Sequence, residues 1–395
     1  MNSLLYAPLG ELAKLNPTFH AQGVAPDELV DFLPMAAVSA ELTTVSATEQ
    51  RTFQSVQKGY TNFVHGDVLL AKITPCFENG KIAFAQLNTD FGFGSTEFHV
   101  IRADKARLDG RYLVHFLRRD EIRLDGARNM TGSGGQRRVP KHYINSLSVP
   151  LPALSEQRRI AAILDQVDAL RAKRRETLAQ LDRLTQSIFI EMFGDPVTNP
   201  LSWTYRSLDE ITQKVTDGEH LNPAFADSGM PIVMAGNVLV DHIDLESAKR
   251  VEASLGQQFR KKCGPEFGDL LIVGRGATIG RLCRVNLHDS FCLMGSVILV
   301  KPDRSMLDER YLSGMLAMPS MHAMLYKTSG SSAQQAIYLK DVKKLACPVP
   351  PLSLQHIFAI RIQAVEGIKA IQRTALTELD NLFASLQHRA FRGKL

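Results

Sequence analysis

The chain has 395 residues, 45% of them apolar and 22% charged, which is the make-up of a globular protein and excludes disordered and collagen-like classes. No apolar run approaches the roughly 18–20 residues a membrane-spanning helix needs, and the first fifteen residues lack a basic stretch ahead of an apolar core, so a cytoplasmic protein is expected. The formal charge of +5 is mild and permits a polyanionic partner without requiring one, and five cysteines without a C-x-x-C pair argue against disulfide and zinc frameworks and read as small hydrophobes.

In chain order, residues 1–150 form a first block. Short β-branched and apolar runs (Asp67–Ile73, Phe98–Ile101) alternate with Gly, Asn, Asp and Pro, which reads as strands and turns, followed by a helical stretch near Gly110–Leu124. Residues 1–101 carry more acids than bases, whereas 102–141 reverse the balance. There Arg118, Arg119, Arg123, Arg128, Arg137, Arg138 and Lys141 gather around the turn Gly132–Gly135. After Pro150-Leu-Pro152, block 151–196 contains thirty-nine residues, Ser155–Phe193, free of Gly and Pro. Ser155 is placed as its N-cap. Apolar residues recur at 3–4 spacing (Ile160, Ile163, Val167, Leu170, then Leu181, Leu184, Ile188), with a polar gap at Arg174/Thr177.

The whole plan then repeats about 198 residues later. Gly132-Ser-Gly-Gly-Gln136 returns as Gly330-Ser-Ser-Ala-Gln334, Pro150–Gln157 as Pro348–Gln355, Asp109-Gly-Arg-Tyr-Leu113 as Asp308-Glu-Arg-Tyr-Leu312, and Gly66–Leu70 as Gly268–Ile272. Block 197–347 has the strand-and-turn character of the first, with a helical stretch near Glu309–Tyr326. Block 348–395 has the helical character of 151–196, with Ser353 as N-cap and a seam of Phe358, Val365, Ile368, Leu379, Leu382 and Leu386. A helix of thirty-nine residues is about 58 Å long and cannot leave its apolar stripe in water. Packing of each helix on its own globular block is one solution. Two equal seams with matching weak centres favour mutual pairing as an antiparallel coiled coil, with an approximate two-fold axis relating the modules. The fold class expected is α+β, two similar globular domains and two long paired helices.

Catalytic constellations are missing. Gly274–Gly280 has G-x-G-x-x-x-G spacing and reads as a strand-end turn rather than a dinucleotide loop, and no Walker A, H-E-x-x-H or G-x-S-x-G sequence occurs. The remaining signal is one of binding. Basic and polar residues suited to phosphates and base edges are Gln136, Arg137, Arg138 and Lys141 in the first block, and His220, Lys261, Lys262, Arg275 and Arg281 in the second. Arg260 and Arg284 belong to the same second group, and for any one of these residues an ordinary solvated face is the competing account.

The order of blocks, Val149-Pro-Leu-Pro-Ala-Leu-Ser-Glu-Gln-Arg-Arg-Ile160, its counterpart Val349-Pro-Pro-Leu-Ser-Leu-Gln355 and the chain end Ala390-Phe-Arg-Gly-Lys-Leu395 resemble the specificity subunit of type I restriction–modification systems. Thr216–Pro223 and Gly268–Gly276 are similar to that family too. The resemblance covers essentially the whole chain, with Leu354 where the family carries Glu. It implies two target recognition domains (1–150 and 197–347), each reading half of a bipartite asymmetric site in double-stranded DNA. Helical regions 151–196 and 348–395 would set the spacer and dock two modification (methyltransferase) subunits, with restriction (translocase/endonuclease) subunits joining them. It also implies that the chain itself is non-catalytic and binds no cofactor, S-adenosylmethionine, ATP and magnesium belonging to the partners. A coiled-coil scaffold for proteins, and an enzyme that methylates unaided, are the rival readings.

Overall fold

The computed structural model describes residues 4–18, 23–47, 49–133, 135–327 and 336–395. The chain forms two compact units. The first comprises residues 1–177 and 372–395, the second residues 178–371. Each unit therefore contains one globular block, half of the first long helix (Leu154–Phe193) and half of the second (Leu352–Ala390). At 1.5 Å per residue the helices are about 60 Å long. No helix is long and apolar enough to cross a membrane among the described residues.

The first unit is built on a five-stranded sheet, in the order Ala13–Leu15, Phe98–Ala103, Val68–Ala71, Ile82–Gln86, Thr44–Ser46, and a four-stranded sheet centred on Leu29–Leu33 and Phe91–Gly94. The second unit has a four-stranded sheet, Thr212–Asp217, Val297–Pro302, Leu270–Val273, Leu282–Arg284, and a three-stranded one around Met230–Val233. The central antiparallel pair has the same register in both: Phe98 faces Ala71, and Val297 faces Val273. The repeated Gly-Asp that opens this pair has a local cause. Gly66 and Gly268 take φ of 92° and 89°, which favours glycine. The next carboxylates, Asp67 and Asp269, are buried, close the turn through the Val64 and Glu266 N–H groups, and receive Arg102 and Lys301 from the neighbouring strand.

The junction motifs form a joint between globular block and helix. In the first unit the Gln157 side chain accepts from the Asp109 N–H and donates to the Arg107 and Pro152 carbonyls, each at 2.9 Å. In the second, Gln355 does the same with the Asp308 N–H and the Met306 and Pro350 carbonyls. Asp109 and Asp308 then cap the helices Gly110–Leu117 and Glu309–Leu316. Tyr112 and Tyr311 donate to the Pro150 and Pro348 carbonyls at 2.9 and 2.8 Å. Their rings pack on Phe391 and Phe193, which end the opposite long helix. Both glutamines are fully buried, so each amide has exchanged water for three protein partners.

Several sequence expectations change. Ser155 and Ser353 are not N-caps: the helices begin one residue earlier, at Leu154 and Leu352, where the Ala153 and Pro351 carbonyls accept from Gln157 and Gln355. The glutamine side chains do the anchoring. The stretches near 110–124 and 309–326 are each two helices, broken before Asp120 and Pro319. The seam is apolar only at its ends. Ile160, Ala161 and Leu164 join the first unit's core, with Leu386 against it; Phe358 and Ile362 join the second's, with Ile188 against it. Val167 and Val365 are also buried, and Leu181 and Leu379 are half-buried. Leu170, Leu184, Ile368 and Leu382, by contrast, remain 45–50% exposed, because polar side chains occupy the middle of the pair. In the first unit Arg171 and Arg175 reach Asp380 at 2.6 and 3.5 Å, and Arg174 donates to Gln372 at 2.6 Å. In the second, Lys369 meets Asp182 at 2.7 Å and Arg361 lies 3.7 Å from Glu191. Rising numbers on one helix meet falling numbers on the other, so the halves pair antiparallel within each unit. Arg171, Arg174 and Arg175 thus belong to the seam.

The cysteine thiols are free. Burial pushes Cys263, Cys283 and Cys347 up to about 12, which leaves them as inert small hydrophobes.

Candidate nucleic-acid interface

In the first unit the chain leaves strand Val68–Ala71 through Lys72-Ile73-Thr74, and the glycine turn closes on this segment. Thr131 and Ile73 both bridge to Arg138, the Thr74 N–H donates to the Arg137 carbonyl at 2.9 Å, and the Val139 N–H donates to the Lys72 carbonyl at 2.8 Å. Gly132 adopts φ of 125°, and a Cβ there would lie 2.7 Å from the Gln136 carbonyl oxygen, so this turn requires glycine. Arg138 forks onto Glu97 (2.7 and 3.0 Å), whose carboxyl this guanidinium holds below its ordinary range against the opposing effect of burial. Lys72 donates to the Thr96 carbonyl at 2.7 Å. Beneath the turn, His99 donates Nε2–H to the Val139 carbonyl and accepts from Asn16, and its burial drives the imidazole towards neutrality. Arg138 and His99 thus brace the turn, and Gln136, Arg137 and Lys141 stand exposed on it and beside it.

The second unit repeats the joint. Beyond Val273 the Gly274 carbonyl accepts from the Ile337 N–H at 2.9 Å, and Arg275 bridges to Ala336. The turn Gly330–Gln335 lies outside the described residues. A cleft of about 400 Å³ opens here, lined by Asp217, His220, Arg275, Gly295, Tyr338 and Lys340 among others. Asp217 accepts from His220 Nε2–H at 2.8 Å, and the Lys262 ammonium lies 3.8 Å from its other oxygen while donating to the Gly218 carbonyl. The imidazole lies on the Gly295 backbone, where a Cβ would be 2.4 Å from Nδ1. The structure therefore brings His220, Lys262 and Arg275 together. Lys261 is exposed in the last turn of helix Ala253–Cys263. Arg281 is half-buried and donates to the Val238 carbonyl at 3.0 Å.

Many of the remaining arginines in these basic groups hold the fold. Arg118 is half-buried and donates to the Ala40 carbonyl, Arg119 pairs with Glu121, and Arg123 engages Asp120 and the Glu78 carbonyl. Arg260 donates to the Phe291 carbonyl, and one guanidinium nitrogen of Arg284 donates to both carboxylate oxygens of Glu366. Sequence reasoning missed Lys72, Glu97, Tyr338 and Lys340, which carry no motif. Asp217 stood in a quoted motif, and its place three residues before His220 is the signal that pairs them. The Gly274–Gly280 segment follows its strand as a turn, with Gly276 and Gly280 at positive φ.

The two units thus repeat an α+β scaffold and present the same loop joint with different side chains, each unit including half of both long helices. Residues 9–182 match the family model for the type I restriction modification DNA specificity domain. The chain is 36% identical over 167 residues to the EcoAI specificity subunit and 37% over 161 residues to the EcoEI one, both of Escherichia coli. Those matches cover 42% and 40% of this chain and 28% and 27% of the relatives, so the chain spans little more than a quarter of their length. Its fold is that of the type I system S subunit from M. genitalium: TM-score 0.55, 15% identity, covering 99% of this chain and 97% of that one.

Proposed function

We propose that this chain is the DNA-reading subunit of a type I restriction–modification complex and is not itself catalytic. Each compact unit reads one half of a bipartite, asymmetric site in double-stranded DNA. The long helices set the undefined spacer and dock two modification subunits, and restriction subunits join that assembly. S-adenosylmethionine, ATP and magnesium then act on the partners, in the cytoplasm where the DNA is. The observation that carries this reading is the repeated joint. One scaffold presents Gln136, Arg137 and Lys141 in the first unit and His220, Arg275 and Lys262 in the second, as expected of a protein that reads two different short sequences with one architecture. Exposed phosphate-seeking cations around polar, hydrogen-bonding side chains suit the division between positioning and base contacts. The exposed apolar face of the second long helix, with Ile357, Ile360, Ile368 and Ile371, supports the docking role.

A base-resolution methylation map of the host genome, with and without this gene, tests the reading. The expected result is loss of one motif, two short defined halves around a fixed spacer. A map unchanged by the deletion, with no salt-dependent binding of the purified chain to any duplex, would overturn it.

A further inference from the structure

The cleft of the second unit contains a guanidinium that no described residue engages. Arg275 has its backbone pinned on both sides, by the Gly274 carbonyl to Ile337 and by the bridge to Ala336, yet its side chain is exposed and has no hydrogen-bond, ionic or ring partner among the described residues. Neighbouring arginines differ: Arg260, Arg281 and Arg304 donate to the Phe291, Val238 and Phe267 carbonyls, and Arg284 and Arg310 bind Glu366. A fixed Cα with a free fork is what base reading needs, since the guanidinium must meet two acceptors at set positions.

The surroundings decide between phosphate and base. A phosphate site would be lined by donors alone. This cleft also holds the Asp217 carboxylate, fixed by His220 Nε2–H and therefore able to accept but not to donate, and a carboxylate repels phosphate. In the major groove, guanine offers the acceptors O6 and N7, and its cytosine partner offers the N4 amino donor. One fork and one acceptor match that edge. Lys340, in the same lining, and Lys262, beside Asp217, supply the phosphate contacts that position it.

We propose that Arg275 is the specificity-determining residue for one G·C pair in the half-site of the second unit, its fork on guanine O6 and N7, with Asp217 accepting from the cytosine amino group. The assignment rests on the DNA-reading role proposed above. It is tested by mapping the methylated motif supported by the full chain with its modification subunits, as wild type and as Arg275→Ala. R275A is expected to leave one half-site and the spacer intact and to make a single G·C position of the other half degenerate. A wild-type motif unmoved by R275A overturns the assignment alone. A wild-type chain that supports no bipartite motif overturns the DNA-reading role and the assignment together.

Loss of all modification by R275A could reflect misfolding, so the wild-type complex is also tested on duplexes in which each guanine in turn is 7-deazaguanine, which lacks the N7 acceptor. Binding should fall about 5- to 150-fold at one guanine of one half-site. Arg275→Met, which keeps the apolar stem but has no donor, should be indifferent to that same replacement. Tolerance of 7-deazaguanine at every position by the wild-type complex, or undiminished sensitivity in R275M, overturns the assignment.

Discussion

The junction glutamine, rather than the acid beside it, joins globular block to helix. Gln157 and Gln355 each satisfy three backbone groups with the amide fully buried, whereas Glu156 is a surface residue paired with Arg159 one turn on. Replacement of Glu by Leu354 in the second copy therefore leaves the joint whole, and Leu354 packs against the second core instead. Gln355→Ala should destabilise the second unit by about 2–4 kcal/mol, because the Asp308 N–H and two carbonyls lose their partner inside the protein. Glu156→Ala should leave the unfolding midpoint in urea unchanged, and equal effects from the two would refute the joint. Asp165 offers a pH-dependent counterpart. Burial alone would raise its pKa, but the His115 Nε2–H bond at 2.8 Å, with Arg111 and Thr43 beside it, holds the carboxyl below the ordinary 3.8. A lowered folded-state pKa adds stability that is complete above the unfolded value and is lost as pH falls through the folded one. Asp165→Asn should thus cost about 1–3 kcal/mol at pH 7, with the gap to wild type narrowing only below pH 3.8. A gap constant from pH 7 to pH 3 would remove Asp165 from the account.

Among the elements, the long helices were the most legible in sequence and their pairing the least. Thirty-nine residues without Gly or Pro leave little alternative to helix, and the repeat spacing places its partner. The 3–4 pattern, weak only at its centre, also placed Leu170, Leu184, Ile368 and Leu382 in the seam, yet all four stay half exposed. Periodicity reports that a helix has an apolar face but not what that face meets. Here the ends turn it towards aromatic cores, Phe189, Phe193 and Phe358 in the second unit and Phe391 in the first. The middle instead joins by ions. The site was legible to a similar degree: a glycine turn and a His-Asp spacing could be read, but which arginines are tied to carbonyls depends on tertiary neighbours. Arg260 and Arg275 look alike in sequence and differ entirely in their surroundings. In the polar middle, Asp168 is buried against Arg171, which also reaches Asp380 at 2.6 Å. Arg171→Ala strands the buried carboxylate, whereas Asp380→Ala leaves Arg171 its other partner. The first should cost about 1–3 kcal/mol more than the second in a double-mutant cycle, and the reverse order would show that Asp168 is solvated.

At the scale of the whole molecule, duplication with divergence separates two properties that most DNA-binding proteins couple. In the proposed reading, the residues presented at each joint determine what is read, and the helices determine how far apart. If the helices act as the ruler, shortening them must change the spacer and nothing else. Removal of seven residues from the middle of each long helix takes out two turns, about 10.5 Å of rise, and returns each apolar face to within roughly 20° of its former direction. Both deletions are required, since cutting one helix alone would shift Arg171 and Lys369 away from Asp380 and Asp182. With 3.4 Å per base pair, the methylated motif should keep both half-sites and lose about three base pairs of spacer. Because a three-base-pair change also turns one half-site by about a third of a helical turn relative to the other, the twist between half-sites has to follow the length. A motif of altered spacer and unaltered halves is the outcome that only a ruler produces. Altered halves with the old spacer would mean that the helices shape the reading surfaces, and the distance between half-sites would then have to be set within the globular blocks themselves.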